Sequence, residues 1–554
     1  MDKNKLRFIA LSGTISVTEN LYLYEYGDDM MILDCGVGFP DLEMPGVDLV
    51  IPDFSYILQN KHKLRGIVVS QGHEDHIGAI PYLLKQLNVP IWCAPLVNEF
   101  LKEKFEDVGI KDFKINIFNP DSDTFEVGVF KISPFRVTHS VPDTVGFAID
   151  TPQGLVFHVP EHKMDQNPVD GMPFDTNRAR LLASGKKVLF LASDCLGANH
   201  PGFTPGELQI EENFYNIVKD AKSGIFMTAI SSNIGRFQQM INVAQRLSRK
   251  VVLVGRSVQN KVEAAYRLGY LKYLPGTIID FKESIKYNKS KLVYIVAGCY
   301  GQVGSSLYRI ATNEHEKIKI TEGDMMVFSA DPAPPYSKES EDFVIDKLFD
   351  LGVDVHYYDL KEGLYVSGHG KQEDIKSLIN IVKPKYLIPI GGTTRYMHAY
   401  RKLAMTIGYP KEDVFMLRPG ESVVIDQGGA VRGQKITTKE VLVHGLGIGD
   451  IGKVVLGDRS VLGTEGVVVP VIKLNKGRID KNIEIISKGF VYENISQKLI
   501  LDTKNKLFNE LVKSTKGQKV NQKQLKDVVI RFLSNHFYRM TKREPMILPV
   551  VVEV

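Results

Sequence analysis

Cysteine is scarce: Cys35, Cys93, Cys195 and Cys299 are the four in 554 residues. They are widely spaced and form no C-x-x-C pair, which excludes a disulfide-stapled secreted fold and a cysteine-rich zinc module. They read as reduced core thiols. Long apolar runs are missing too, since none approaches the roughly 18–20 residues that span a bilayer. The start, Met1-Asp2-Lys3-Asn4-Lys5, leads into no long apolar stretch and no small-residue cleavage site, so a cytoplasmic protein with no membrane association is expected. A dominant charge is also lacking. Against 65 Asp and Glu stand 69 Lys and Arg, a net of +4, too mild to declare a nucleic-acid partner alone. No internal repeat and no low-complexity segment is present.

What is there is a globular composition, 44% hydrophobic and 24% charged. The length exceeds one ordinary core and predicts two to four domains. The first 200 residues predict strands over 6–11, 21–26, 30–33, 66–70, 89–92, 130–137, 144–149 and 155–158, with helices over 80–86 and 97–105. That pattern suggests a layered α/β sandwich. From about Pro205 the pattern changes. Residues 236–249 place Met240, Val243, Ala244 and Leu247 on one helical face, and strands over 251–254 and 292–297 follow. These are βα units, with functional loops expected at strand C-termini. A third block holds the loop Ser367-Gly368-His369-Gly370, a helix over 372–381 and a strand over 386–390. The polar stretch from Asp426 to Glu440 reads as a linker. Beyond it come strands near 466–472 and 483–489, helices near 497–513 and 522–537, and a strand-like end. Between Asp502 and Glu544 there are 11 Lys and Arg against 4 Asp and Glu. Such an excess suits a phosphate backbone or a solvated helix face equally well.

The chemistry concentrates after the apolar run Gly66-Ile67-Val68-Val69-Ser70. Residues 73–76 read His73-Glu74-Asp75-His76, two imidazoles and a carboxylate on one tight turn, a geometry that holds transition-metal ions. His139 and Glu161 also follow predicted strands, so side chains from separate strands can converge with this turn. Two residues before His73 stands Gln71, where a complete site of this type carries a third histidine.

The ordered motifs extend this. Leu33-Asp34-Cys35-Gly36, residues 72–81, Thr138-His139-Ser140-Val141-Pro142-Asp143 and residues 163–170 come first. Pro201-Gly202-Phe203-Thr204-Pro205, Gly255-Arg256-Ser257, Ser367-Gly368-His369, Gly449-Asp450 and Gly489-Phe490-Val491-Tyr492 follow. Together they resemble the metallo-β-lactamase superfamily, its β-CASP group and, within that, the ribonuclease J family, over essentially the whole chain.

The resemblance implies an α/β architecture: a metallo-β-lactamase αββα sandwich with an inserted β-CASP α/β domain and a small α+β C-terminal domain. The boundaries expected are 1–203 and 351–425 for the sandwich, 204–350 for the insertion, 426–440 for the linker and 441–554 for an oligomerisation domain. It implies metal-dependent hydrolysis of RNA phosphodiesters, by 5′-to-3′ exonuclease and endonuclease action. The cofactor would be one or two zinc ions, with manganese or magnesium as alternatives. His73 and His139 match ligands of one metal, and Asp75 and His76 match ligands of the other. Glu161 stands at the bridging position and Asp34 at the orienting aspartate. Asp75, Asp194 and His369 match catalytic positions, His369 as proton donor to the leaving group. Tyr365, Val366, Ser367, Gly368 and His369 match a phosphate-holding loop. Implied partners are single-stranded RNA with a 5′-monophosphate, further copies as a homodimer or homotetramer, and an intact ribonuclease J paralogue.

The departures from the family pattern are as specific. Gln71 replaces a metal-binding histidine with a weak, neutral donor. Glu161 replaces the bridging aspartate, after Pro160 in place of glycine, and a shift of about an ångström is expected where metal sites tolerate roughly 0.2 Å. Gly391 replaces a histidine ligand of the second metal, and Gly235 a histidine near the RNA path. The surviving ligands would be His73, His139 and Glu161 for one ion, with Gln71 a poor fourth, and Asp75, His76 and the shared Glu161 for the other. His158 and His162 flank Glu161, but side-chain alternation along a strand need not point them the same way. Weakened ribonuclease activity is therefore expected, with a catalytically inactive RNA-binding subunit as the alternative. A small-molecule metallohydrolase shares the H-x-D-H turn, but the inserted block and the His369 loop argue against it.

Overall fold

Runs of β-branched and aromatic residues build two facing sheets in the first of two compact units, which comprises Met1–Phe39 and Leu49–Val441. The computed structural model describes residues 5–41, 43–330, 337–475, 478–490, 493–515 and 522–554, without the side chains of 493–498. Val491 and Tyr492 of the last motif, and Lys516 and Lys519 of the basic run, lie outside the described residues.

Among the described residues the first sheet runs in the spatial order Gly429–Arg432, Glu421–Asp426, Leu6–Ala10, Tyr22–Tyr26, Asp29–Leu33, Leu64–Val68, Ile91–Cys93 and Ile115–Ile117. The second runs Tyr386–Ile390, Val188–Asp194, Gly154–Val159, Val145–Thr151, Phe130–Arg136 and Phe125–Val127. Aromatic rings fill the space between them: Phe8 and Phe190 lie 5.5 Å apart, and Tyr24 stacks on Phe190 at 6.3 Å. The strand Gly154–Val159 shows how the pattern works. Leu155, Phe157 and Val159 join the helix-side core with Ile375, Leu378 and Tyr400, while His158 turns inward against Tyr22. The helices Thr176–Ala183, Gln372–Val382 and Thr394–Thr406 cover that outer face, completing the expected αββα layering.

The inserted domain is a parallel sheet in the order Ile278–Ile279, Lys250–Val254, Leu292–Val296, Ile225–Thr228, Met325–Phe328 and Asp354–His356. The helix Ile234–Arg246 buries Phe237, Met240, Val243 and Ala244 on one face, as its periodicity predicts. Leu247 ends up as its C-cap.

The second compact unit, Pro40–Asp48 with Leu442–Val554, has its own core. Val468, Ile472 and Leu474 alternate inward from the strand Val467–Asn475 and meet Leu507, Leu511, Val529, Leu533 and Phe537 of two long helices, Glu493–Thr515 and Gln522–Thr541.

The expected linker over 426–440 needs correction. Gly429–Arg432 is the edge strand of the first sheet, paired antiparallel with Glu421–Asp426. The cause is the turn: Asp426 Oδ1 accepts the Gly428 amide at 2.8 Å, an Asx-type closure that a polar, glycine-containing segment allows.

Candidate metal centre

The strand Leu64–Val68 delivers the chain into the short helix Glu74–Ile77, with His73 as its N-cap. The backbone of residues 35–37 straps this turn in place. Cys35 and Val37 amides donate to the carbonyls of His76 (2.8 Å) and Glu74 (3.1 Å). Gly36 is obligatory, because a Cβ there would lie 1.6 Å from the Asp75 carbonyl oxygen.

Asp34 is fully buried at φ +58°, a left-handed conformation that aspartate tolerates better than most residues. Its carboxylate accepts from the Ser70 amide (2.8 Å) and hydroxyl (2.7 Å) and meets His76 Nδ1 at 2.8 Å. A carboxylate on Nδ1 selects the tautomer that leaves Nε2 for the site. A backbone carbonyl does the same for His139: Nδ1 lies 2.9 Å from Gly368 O. Gly368 carries no side chain for good reason, since a Cβ would sit 2.7 Å from the His139 ring.

Glu161 is the hub. Its Oε1 lies 3.3 Å from His76 Nε2, and its Oε2 lies 2.8 Å from His139 Nε2 and 3.9 Å from His73 Nδ1. Two groups result, His73–His139–Glu161 and Asp75–His76–Glu161, each with one donor atom per residue all within 4.8 Å of one another. The longer side chain thus still reaches both groups. Asn20 Nδ2 lies 3.1 Å from Asp75 O, Asp75 Oδ2 and His76 Nε2, and Ser140 Oγ lies 3.1 Å from His73 Nε2. Sequence reasoning missed Asn20, Ser70, Ser140 and Gly36. Ser70, Ser140 and Gly36 stood in quoted segments without a role of their own, and Asn20 lies in a loop where a polar residue carries no spacing signal.

Gln71 is fully buried. It donates its side-chain amide to Glu161 Oε2 in a short contact, while its Oε1 is buried with no hydrogen-bond partner. Gly391 adopts φ +67°, and a Cβ there would face Pro160 O at 3.5 Å and Asp194 Oδ1 at 3.7 Å. It lies beside the site and contributes no ligand atom.

Opposite charges offset burial within the site. Burial opposes ionisation of Glu161, but His139, His76 and His369 outweigh it and hold the carboxyl well below its ordinary range. Burial likewise opposes protonation of His76, yet Asp75, Asp34 and Glu161 raise it well above the usual value. His73 is lowered, chiefly by burial.

His369 stands beside His139, ring centroids 5.3 Å apart. Its Nδ1 lies 2.8 Å from Asp194 Oδ2, and Asp194 Oδ1 accepts the Leu196 amide at 2.8 Å. Ser367 Oγ accepts the His369 amide at 3.1 Å. Tyr365 packs edge-on to Tyr358, and Val366 is half-buried in the same loop. His158 and His162 belong to neither group. His158 bonds Tyr24 Oη at 2.9 Å in the inter-sheet core, where burial pushes it down to about 3. His162 packs edge-on to Phe174, and both ring nitrogens are buried without partners.

Four family models match along the chain. They are described as a beta-lactamase superfamily domain (residues 32–170), the beta-CASP domain of ribonuclease J (222–348), a Zn-dependent metallo-hydrolase RNA specificity domain (357–417) and the ribonuclease J C-terminal domain (454–554). The chain is 34% identical over 558 residues to ribonuclease J2 of Bacillus subtilis, covering 99% of both chains. It is 34% identical over 553 residues to ribonuclease J 1 of Streptococcus pyogenes, covering 99% of this chain and 98% of that one. Ribonuclease J 2 of Staphylococcus aureus strain MRSA252 is 33% identical over 559 residues, covering 100% and 99%. A solved Enterococcus faecalis protein of unknown function aligns over 76% of this chain and 100% of its own, with a TM-score of 0.53 at 14% identity, a likeness of fold alone.

Proposed function

The chain belongs to the ribonuclease J family, and from that footing we propose that it binds RNA and hydrolyses its phosphodiesters weakly, at a metal centre with a reduced ligand set. The observation that carries this is Glu161, shared by two donor groups at the foot of the His73–His76 turn. The donors fit a divalent ion. Imidazole and carboxylate are zinc's usual protein ligands, and three of them with water suffice for a catalytic site. The orphaned Gln71 Oε1 is a buried acceptor that a cation would satisfy. Zinc is the ion this set favours, with manganese as the second choice.

A bound ion supplies a water of lowered pKa and stabilises charge on a phosphate oxygen. The rest falls to the chain. Asp34 and Gly368 O keep the Nε2 atoms of His76 and His139 turned toward Glu161. Asp194 holds His369 through Nδ1, so a proton for the leaving oxygen would come from Nε2. The loop from Tyr365 to His369 would hold a phosphate of the RNA.

A second reading has its own support. The Gln71 amide on Glu161 Oε2 occupies the oxygen that His73 and His139 share. A site closed in that way suits a silent RNA-binding subunit that assembles with further copies or an intact ribonuclease J. The test is zinc and manganese content, RNA binding, and cleavage of 5′-monophosphorylated RNA by the purified chain. Slow cleavage, lost in His76→Ala, with at most one tightly held ion is the expected result. Rapid processive degradation with two ions per chain sinks the reduced-site reading, and RNA binding with neither metal nor cleavage leaves the silent subunit.

A further inference from the structure

Helix Pro95–Asp107 of the sandwich and helix Arg256–Arg267 of the inserted domain run antiparallel beside the metal turn. Glu99, Glu103 and Asp107 fall four residues apart and so share one helical face. Each meets a partner across the domain boundary. Arg267 makes a short ion pair with Glu99, Asn260 Nδ2 donates to Glu103 Oε1 at 2.6 Å, and Arg256 lies 3.6 Å from Asp107. Tyr270, just past the second helix, adds a short hydrogen bond to Asp143, which also pairs with Arg136 at 3.0 Å. Between these polar pairs Lys261 is buried, with Nζ 4.3 Å from the centre of the Phe100 ring.

The same helix grips the metal turn. Phe100 lies against Gly72, where a Cβ would come 2.7 Å from its ring. Lys104 makes a short ion pair with Glu74, the residue between His73 and Asp75. Gly72 and Glu74 therefore bracket His73, and both are held by a helix that is itself held by the inserted domain.

We propose that this helix pair is an electrostatic latch that couples closure of the inserted domain to the order of the metal turn. The proposal rests on the turn holding a metal. When the latch opens, Phe100 loses the Lys261 ammonium over its ring and the helix bearing Lys104 loses its three polar cross-domain partners. Gly72 and Glu74 then lose their rigid backing. Linkage makes the effect reciprocal: an ion that fixes His73 and Asp75 stabilises the closed latch by the same factor. The two ion pairs end in largely exposed arginines and are individually weak, so they can open without unfolding either domain.

The test is amide hydrogen exchange of the full chain, with and without zinc, in wild type and in the triple variant Arg256→Ala/Asn260→Ala/Arg267→Ala, together with zinc affinity by chelator competition. Exchange over 95–107 and 256–267 should slow about five- to tenfold on zinc addition in wild type, and the variant should bind zinc weaker by a similar factor. Arg256 and Arg267 are largely exposed, so the variant keeps its cores. Zinc uptake with unchanged exchange in both helices and equal affinity in the variant overturns the latch alone. No zinc uptake by wild type overturns the metal reading and the latch with it.

Discussion

Gln71 and Glu161 are ninety positions apart and in direct contact. The resemblance implies a different residue at each position, and on that reading each alone looks like damage. In contact they are complementary: the Glu161 carboxylate meets the Gln71 amide as its donor. The pair is a neutral-to-anion hydrogen bond in a buried site, and a charged acceptor strengthens such a bond. It also leaves Gln71 Oε1 unsatisfied, at a cost that a cation would relieve. Gln71→Ala would confound lost packing with lost bonding, so Gln71→His is the informative change. Supplying an imidazole there should tighten zinc binding about tenfold, or roughly 1.4 kcal/mol, in competition with a chromophoric chelator. Equal affinity would mean that Glu161 has moved too far for a fourth ligand to help. The two departures were legible separately in the sequence. That they belong near one site followed from the resemblance, but their direct hydrogen bond did not, because it depends on side-chain rotamers that no sequence pattern specifies.

At the scale of elements, the site depends on where strands stop. The inserted domain was readable in part: the helix over 236–249 and the strands over 251–254 and 292–297 showed in the apolar pattern, while the strand Ile225–Thr228 and the helix Arg256–Arg267 went unread. Strand order was not readable, since it is set by packing between distant segments. The edge strand Gly429–Arg432 was misread as linker because an edge strand needs only one partner and carries little apolar pattern: Val431 is largely exposed. The strap formed by residues 35–37 is a further case. The motif Leu33-Asp34-Cys35-Gly36 drew attention through Asp34, while the structure gives Gly36 an equal part by letting two backbones touch. In Gly36→Ala the added methyl meets a backbone carbonyl, and no side-chain rotation relieves it. The strap or the turn must move. The variant should lose about 3 kcal/mol in urea unfolding, with weaker zinc binding in the fraction that folds. An unchanged midpoint would show that the strap is loose and that Asp34 alone sets the turn.

Across the whole molecule, the root of the inserted domain is fixed by charge buried out of water. Lys163 Nζ meets Glu207 Oε1 at 2.9 Å, and Arg236 Nη2 meets Glu207 Oε2 at 3.4 Å. The Glu207 amide donates to Asp165 Oδ2 at 3.2 Å, and Gln239 Nε2 donates to Glu207 O at 2.7 Å. Lys163 and Asp165 follow Glu161 on the sandwich side, and Arg236 belongs to Ile234–Arg246, the second helix after the crossing. Burial works against ionisation of Glu207, but Arg236 and Lys163 outweigh it and hold its carboxyl below the ordinary value of 4.5. A depressed folded value means that this carboxylate contributes stability above about pH 4.5 and loses it as pH falls through the folded value. Glu207→Ala leaves two buried cations without their shared partner, and should cost about 3–5 kcal/mol at pH 7. Urea midpoints at pH 7 and pH 4 separate charge from packing. If charge dominates, the gap between wild type and variant narrows at pH 4, below the ordinary value of 4.5, where the unfolded chain takes up a proton that the folded carboxylate resists. Replacing Lys163 and Arg236 with methionine in the Glu207→Leu background should then recover most of the loss at pH 7, because matched apolar groups need no partner. A gap that stays constant with pH, and a triple variant no better than the single, would assign the effect to the cavity left by Glu207.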